Sequence, residues 1–157
     1  MSANVQSLAS SFKTDLMDGL HAFGASVIRG GTTKDTFYAA LFVTGNSMGA
    51  ATTAYSSSGE VTNSGATTGY TAGGLAVPNT VAPALDTTTA HWTPSGSFVW
   101  TAFSSAAAFD TCLIYNYTAS GKNAVGVFCF GAQSITAGTF TLSQPTDNGT
   151  TGLVRIA

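Results

Sequence analysis

The stretch TCLIYNYTASGKNAVGVFCFG (111–131) decides the architecture. Its two arms, 111–118 and 124–131, are built from aromatic, β-branched and small apolar residues, and only Ala119 to Asn123 separate them. A connection so short and polar predicts a β-hairpin. Working outward, DTFYAALFVT (35–44), SFVWTAF (97–103), GTFTLSQ (138–144) and LVRIA (153–157) read as further strands. In 138–144, Phe140 and Leu142 alternate with Thr139 and Thr141, the period of a half-buried strand. Many short strands with turn-rich joins predict a mainly β single domain, either a β-sandwich or a jelly-roll-like barrel. No repeat of roughly 20–50 residues is visible, which argues against a solenoid or propeller.

Ahead of the strands, Val5, Leu8, Phe12, Leu16 and Leu20 recur at three- and four-residue spacing and draw one apolar stripe. That pattern predicts a short N-terminal α-helix over 4–18, stopped at Gly19. Such a stripe packs on the chain's own core or docks on a partner. Residues 45–75 differ from everything around them. They are rich in Gly, Ser and Thr, with Tyr55, Val61 and Tyr70 as sizeable anchors and Glu60 as the one charge. This composition predicts a long surface loop or arm, either a solvated linker or, as the scarcity of charge favours, an arm ordered by a neighbouring subunit. The expected organisation is therefore a helix and connection over 1–24, followed by a β body over 25–157 that carries the arm.

Charge is scarce: five Lys or Arg and seven Asp or Glu in 157 residues, or 8%, against roughly 25% in an ordinary soluble domain. For 15.8 kDa, surface scaling gives about 600 Å² of exposed area per charge. A free monomer keeps a denser charged coat, so the composition points to a chain covered by partners. The cations Lys13, Arg29, Lys34, Lys122 and Arg155 are scattered, which excludes a phosphate-binding stripe and hence nucleic acid. No apolar run approaches the ~20 residues that span a bilayer, so no membrane partner is expected. The opening MSANVQSLAS lacks a basic start and an apolar run, so synthesis in a cytoplasm is the expectation. In that compartment Cys112 and Cys129 are expected as free thiols.

Residue types that carry chemistry are few. His21 and His91 lack metal-ligand companions at useful spacing, and no CxxC or HExxH occurs. Neither paired carboxylates nor a GxSxG elbow stands out. No catalytic, cofactor or metal residue is assigned. The sequons at Asn116 and Asn148 read as accidents of a Thr-rich composition. Trp92, Trp100, Tyr115 and Tyr117 could line a sugar platform, although aromatics in β-sandwiches more often fill cores and interfaces.

Several segments, taken in order, carry a resemblance. Phe12-Lys13-Thr14-Asp15-Leu16-Met17 is followed by Gly19, His21 and Phe23, and then by Phe37, Ala40, Leu41 and Val43. Next come Thr53, Tyr55, Glu60, Val61 and Gly69-Tyr70-Thr71-Ala72-Gly73-Gly74. Leu113-Ile114-Tyr115-Asn116, Ala124-Val125-Gly126-Val127 and the ending Val154-Arg155-Ile156-Ala157 complete the set. Together they resemble a family of small structural proteins of tailed bacteriophages. The likeness weakens across 77–110, and it departs at Cys129-Phe130-Gly131, where the family pattern has an acidic residue before Phe-Gly.

The resemblance implies a non-enzymatic virion component. The station that best suits the composition is a capsid decoration, or cement, protein on the outside of the shell. It would be a homotrimer bridging subunits of the major capsid protein, made in the host bacterial cytoplasm and needing no cofactor. A neck, tail or baseplate component is the alternative, and a glycan-binding β-sandwich module is a more distant one. Partner contacts are expected at Phe12, Leu16 and Leu20 on the helix, and at Tyr55, Glu60, Val61 and Tyr70 on the arm.

Overall fold

The computed structural model describes residues 3–24, 34–65 and 68–157. Arg29, the start of the expected β body at 25 and two positions of the arm, 66 and 67, lie outside the described residues. The described residues are mainly β, 38% strand and 6% helix, in antiparallel sheets with one short helix. In chain order the elements are β1 (Ser7–Leu8), α1 (Ser10–Met17), β2 (Phe37–Val43), β3 (Leu75–Ala76), β4 (Ala84–Asp86) and β5 (Thr89–Trp92). They continue with β6 (Phe98–Phe103), β7 (Phe109–Asn116), β8 (Ala124–Gln133), β9 (Gly138–Leu142) and β10 (Val154–Ile156).

The expected hairpin is the spine of the fold. β7 and β8 pair antiparallel, with Leu113 opposite Val127, and β2 lies along the other side of β7, with Ala40 opposite Leu113. Short β1 and β3 flank these to give a five-stranded sheet in the order β1-β8-β7-β2-β3. Burial on both faces explains why β2 and β7 read as near-continuous apolar runs rather than strict alternations.

One face of that sheet presents Phe37, which packs with Phe23 and Trp92 at 4.5 and 5.9 Å between ring centres. The smaller sheets, β6-β9 and β10-β5-β4, form the second layer of this sandwich-like domain. Phe109 of β7 meets Phe140 of β9 edge-on at 4.9 Å. The opposite face carries Tyr38, Phe42 and Tyr115, with Tyr55 stacked on Tyr115 at 4.6 Å.

The N-terminal helix is half as long as expected. It begins at Ser10, not at residue 4, because the edge of β8 claims the residues before it. Ser7 and Leu8 pair with Val127 and Gly126, and the Ala9 N–H donates to the Val125 carbonyl. Backbone donors on an open sheet edge outcompete a marginal first turn whose Ala9 cap offers no side-chain bond. Val5, the head of the predicted stripe, is consequently 61% exposed. The stop falls where expected: Gly19 adopts φ +68°, and the Leu20 N–H reaches back to the Asp15 carbonyl.

The β4–β5 hairpin is the element that composition did not announce. ALD and TAHW have neither β-branched enrichment nor strict alternation. The cysteines stand on adjacent strands yet on opposite faces, Cys112 across from Phe128 and Cys129 across from Thr111. Both are free. Among the described residues no helix is long and apolar enough to cross a membrane.

Candidate functional site

The Gly/Ser/Thr-rich segment departs most from its sequence reading. Instead of standing off as an arm, it runs along the outer edge of β2 and completes that edge. The Val61 N–H donates to the Leu41 carbonyl, and the Val43 N–H donates to the Gly59 carbonyl. Further bridges join Ala54 to Asn123 and Asn63 to Ser105. Between the points where β3 and residue 61 bond β2, the Leu41 N–H would face an empty slot. The Tyr70 hydroxyl fills it, accepting that proton at 2.9 Å. A buried backbone donor left unpaired would cost about 1–3 kcal/mol, so the slot demands such a partner.

Glu60 is the hub of this arrangement. It is 8% exposed and accepts three hydrogen bonds. Tyr55 Oη donates at 2.5 Å, Tyr70 Oη at 2.7 Å and the Gly73 N–H at 2.6 Å. All three are donors, the complement of an ionised carboxylate. Burial first, and then the hydrogen bond to Glu60 and its charge, hold the Tyr55 and Tyr70 phenols well above the usual tyrosine range, so both remain donors. Tyr115, raised mainly by its own burial, donates to the Gly73 carbonyl at 2.8 Å. Asn63 clamps the Tyr70 backbone from both sides, accepting from its N–H at 3.0 Å and donating to its carbonyl at 2.6 Å. Gly73 and Gly74 turn the chain with φ +90° and +81°; a Cβ on Gly74 would lie 1.9 Å from the Ala39 carbonyl oxygen.

A second polar node sits at the far end of β7, beyond α1. Asn116 is fully buried, and its Oδ1 accepts from the Thr118 and Ala119 N–H groups at 3.0 and 3.1 Å. The amide nitrogen therefore faces the N-terminal segment. It donates toward Asp35 Oδ2 at 2.8 Å, the Leu20 carbonyl at 3.2 Å and His21 Nδ1 at 3.2 Å. A buried sequon asparagine with every polar atom engaged is no glycan acceptor.

The third polar pair is His91 Nδ1 to Asp147 Oδ1 at 2.8 Å. A base and its orienter adopt this geometry. Among the described residues, however, no hydroxyl or thiol hydrogen-bonds to the His91 ring, so no nucleophile is poised there. No group of three or more His, Cys, Asp or Glu converges to hold a metal among those residues. A half-open apolar cleft of about 220 Å³ lies between the layers, lined by Phe98, Ile114, Phe128, Leu142 and Leu153, with Gln6 and Gln144 among its polar residues. It offers shape without a converging set of polar groups.

The residues expected to meet partners are mostly internal. Phe12 has no exposed surface, and Val61, Tyr70 and Glu60 are buried; they serve the chain's own core, which corrects their reading as contacts. Leu16 and Tyr55 are half-buried against that core, and Leu20 alone stays open, at 39%. The sugar platform dissolves for the same reason. Trp92, Trp100 and Tyr115 are buried, and the Tyr117 ring lies between Tyr38 at 4.2 Å and the Lys122 ammonium at 3.7 Å.

Sequence reasoning missed Asn116 and Asn63 as organisers, and the true surface apolar groups Met17, Leu85 and Ile156. Met17 lies off the helical apolar stripe, four residues after Lys13, which is the one signal of its exposure; no such signal separates Leu85 and Ile156 from core residues. Comparison with known proteins finds no matching family model, no matching characterised protein and no matching solved structure.

Proposed function

We propose that this chain is a non-enzymatic structural protein of a tailed-bacteriophage virion, stationed on the capsid exterior as a decoration or cement protein. It acts by contact area, bridging major capsid protein subunits, and assembles as a homotrimer in which each copy has two equal interfaces. The observation that carries this reading is the surface. An area of 7772 Å² belongs to a chain with only five basic and seven acidic residues, of which Glu60 is buried, while Met17, Leu85 and Val5 are 89, 70 and 61% exposed. Leu85, Ala90 and Ile156 lie opposite one another across β4, β5 and β10, so part of that apolar surface forms a continuous row. Apolar area in ordered rows is what association surfaces offer. The motif resemblance supplies the phage context.

The test is particle stability. Virions lacking the protein should release DNA at lower temperature, or sooner on chelation, than complete ones. Unchanged release, or recovery of the protein in purified tails alone, overturns the shell assignment. Station in a neck, tail or baseplate is the second reading, favoured by the same surface. Copy number separates them: hundreds per particle place the protein on the shell, whereas three, six or twelve place it at the neck or tail.

A further inference from the structure

The node at Asn116 contains a histidine whose surroundings admit only one charge state. His21 has a fully buried side chain, closed in by Phe12, Phe23 and Phe37 at 5.1 to 6.0 Å between ring centres. Its Nδ1 faces the amide nitrogen of Asn116 at 3.2 Å. That amide cannot turn over, because its oxygen is engaged by the Thr118 and Ala119 N–H groups. Asn116 therefore turns only its NH2 toward the ring, whose two hydrogens are shared among Asp35 Oδ2, the Leu20 carbonyl and His21 Nδ1; that nitrogen accepts nothing, so Nδ1 can take part only as an acceptor. The ring proton belongs on Nε2, which is buried without a hydrogen-bond partner, 3.6 Å from Asp15 Oδ2. A second proton would set N–H against N–H at Nδ1, in a site that water does not reach.

We propose that His21 is the catch of an acid-operated strap. At neutral pH it fastens the segment Leu20–Gly24 to the end of β7, and proton uptake by its ring releases that segment while the five-stranded sheet stays folded. The segment's other polar ties are the Ala22 N–H to Asp35 Oδ2 at 2.7 Å, the Asp35 N–H to the Ala22 carbonyl at 3.2 Å, the Leu20 N–H to the Asp15 carbonyl at 2.8 Å and the Gly24 N–H to Asn79 Oδ1 at 2.7 Å. Phe23 adds ring contacts to Phe37 and Trp92 at 4.5 and 4.7 Å. Its tie to β7 itself runs through Asn116.

The charged groups facing His21 are Asp15 from α1 and Asp35 from the lead-in to β2; β7 contributes only the neutral Asn116. Both carboxylates favour the imidazolium, but desolvation outweighs them and the ring's pKa lies below its ordinary 6.5. The released ring recovers that ordinary value and takes up a proton. The strap is therefore fully fastened above about pH 6.5 and loosens progressively as the pH falls below it. This device is independent of where in a particle the protein sits.

Hydrogen exchange of the full chain by NMR, corrected for intrinsic pH dependence, tests it. Between pH 7.5 and 5.0, protection at Ala22 and Gly24 should fall by about tenfold, with no comparable fall at Leu113 in β7. That range stays above ordinary aspartate titration, and His21→Gln, which keeps an acceptor without a titrating ring, should be flat across it. Should His21→Gln fail to fold, imidazole ¹⁵N shifts of the unaltered protein decide. An Nε2–H tautomer titrating below 6.5 supports the catch. Protection that is equal at both pH values, a fall that persists in His21→Gln, or a ring titrating at or above 6.5 overturns it.

Discussion

Residues 45–75 and the sheet formed by β4, β5 and β10 exchange the roles their local structure suggests. Among its described residues the first contains no named strand until β3 begins at Leu75 and it has a linker's composition, yet Glu60, Val61 and Tyr70 bury themselves and complete the edge of β2. The second has three hydrogen-bonded strands in register, yet all of β4 is exposed and Leu85 lies 70% open. What ties a segment to a domain is the number of buried groups that have no alternative partner. Regular hydrogen bonding among strands satisfies the strands and says nothing of their attachment to a core.

Five substitutions, two of them made together, break or sharpen that contrast. Gly74→Ala should have the largest effect, about 4 kcal/mol of stability or outright failure to fold. It adds strain at positive φ and drives a methyl into the Ala39 carbonyl; chemical denaturation or soluble yield reads it. Glu60→Gln should cost about 3 kcal/mol, since an amide presents N–H groups to at least one of three donors. A midpoint shift equivalent to less than 1 kcal/mol would show that the hub is dispensable.

Tyr70→Phe should cost about 1–2 kcal/mol. The ring remains packed against Phe103, but the Leu41 N–H and Glu60 each lose a partner. Combined with Glu60→Gln, its effect should be clearly less than additive, and a double-mutant denaturation cycle measures the shortfall. The smallest effect belongs to the exposed sheet. Leu85→Ser with Ile156→Ser should change stability by no more than about 0.5 kcal/mol at each position, while lowering occupancy on capsid particles under the cement reading. Loss of more than about 2 kcal/mol in the pair would show that the Leu85 and Ile156 row is packed rather than open.

The motif segments behind the family resemblance acquire a physical meaning here. Tyr55, Glu60, Tyr70 and Gly73 converge on one carboxylate. Phe12, His21, Phe23 and Phe37 converge on one aromatic cluster, with Asp15 beside it. These residues were legible as a set, and for Phe12, Tyr55, Glu60 and Tyr70, which were expected to meet partners, the role is internal instead: aromatic and polar side chains in a stripe or a loose segment read as contacts. Nothing in the string reveals that Leu41 lacks a partner or that Asn116 will be sealed from water. Those facts arise only when strands distant in sequence lie side by side.

Local composition was enough to establish the β-rich class, the 111–131 hairpin, most strand positions and the glycine stop of the helix. Each depends on neighbours within a few residues, where side-chain period and turn chemistry act directly. Tertiary structure alone decided that Ser7 and Leu8 would be strand, that the glycine-rich segment would be fixed to β2, and that Leu85 and Ile156 would face outward. Each of those outcomes is a competition for backbone partners and buried volume between residues tens of positions apart, and such a competition has no winner until the sheet has assembled.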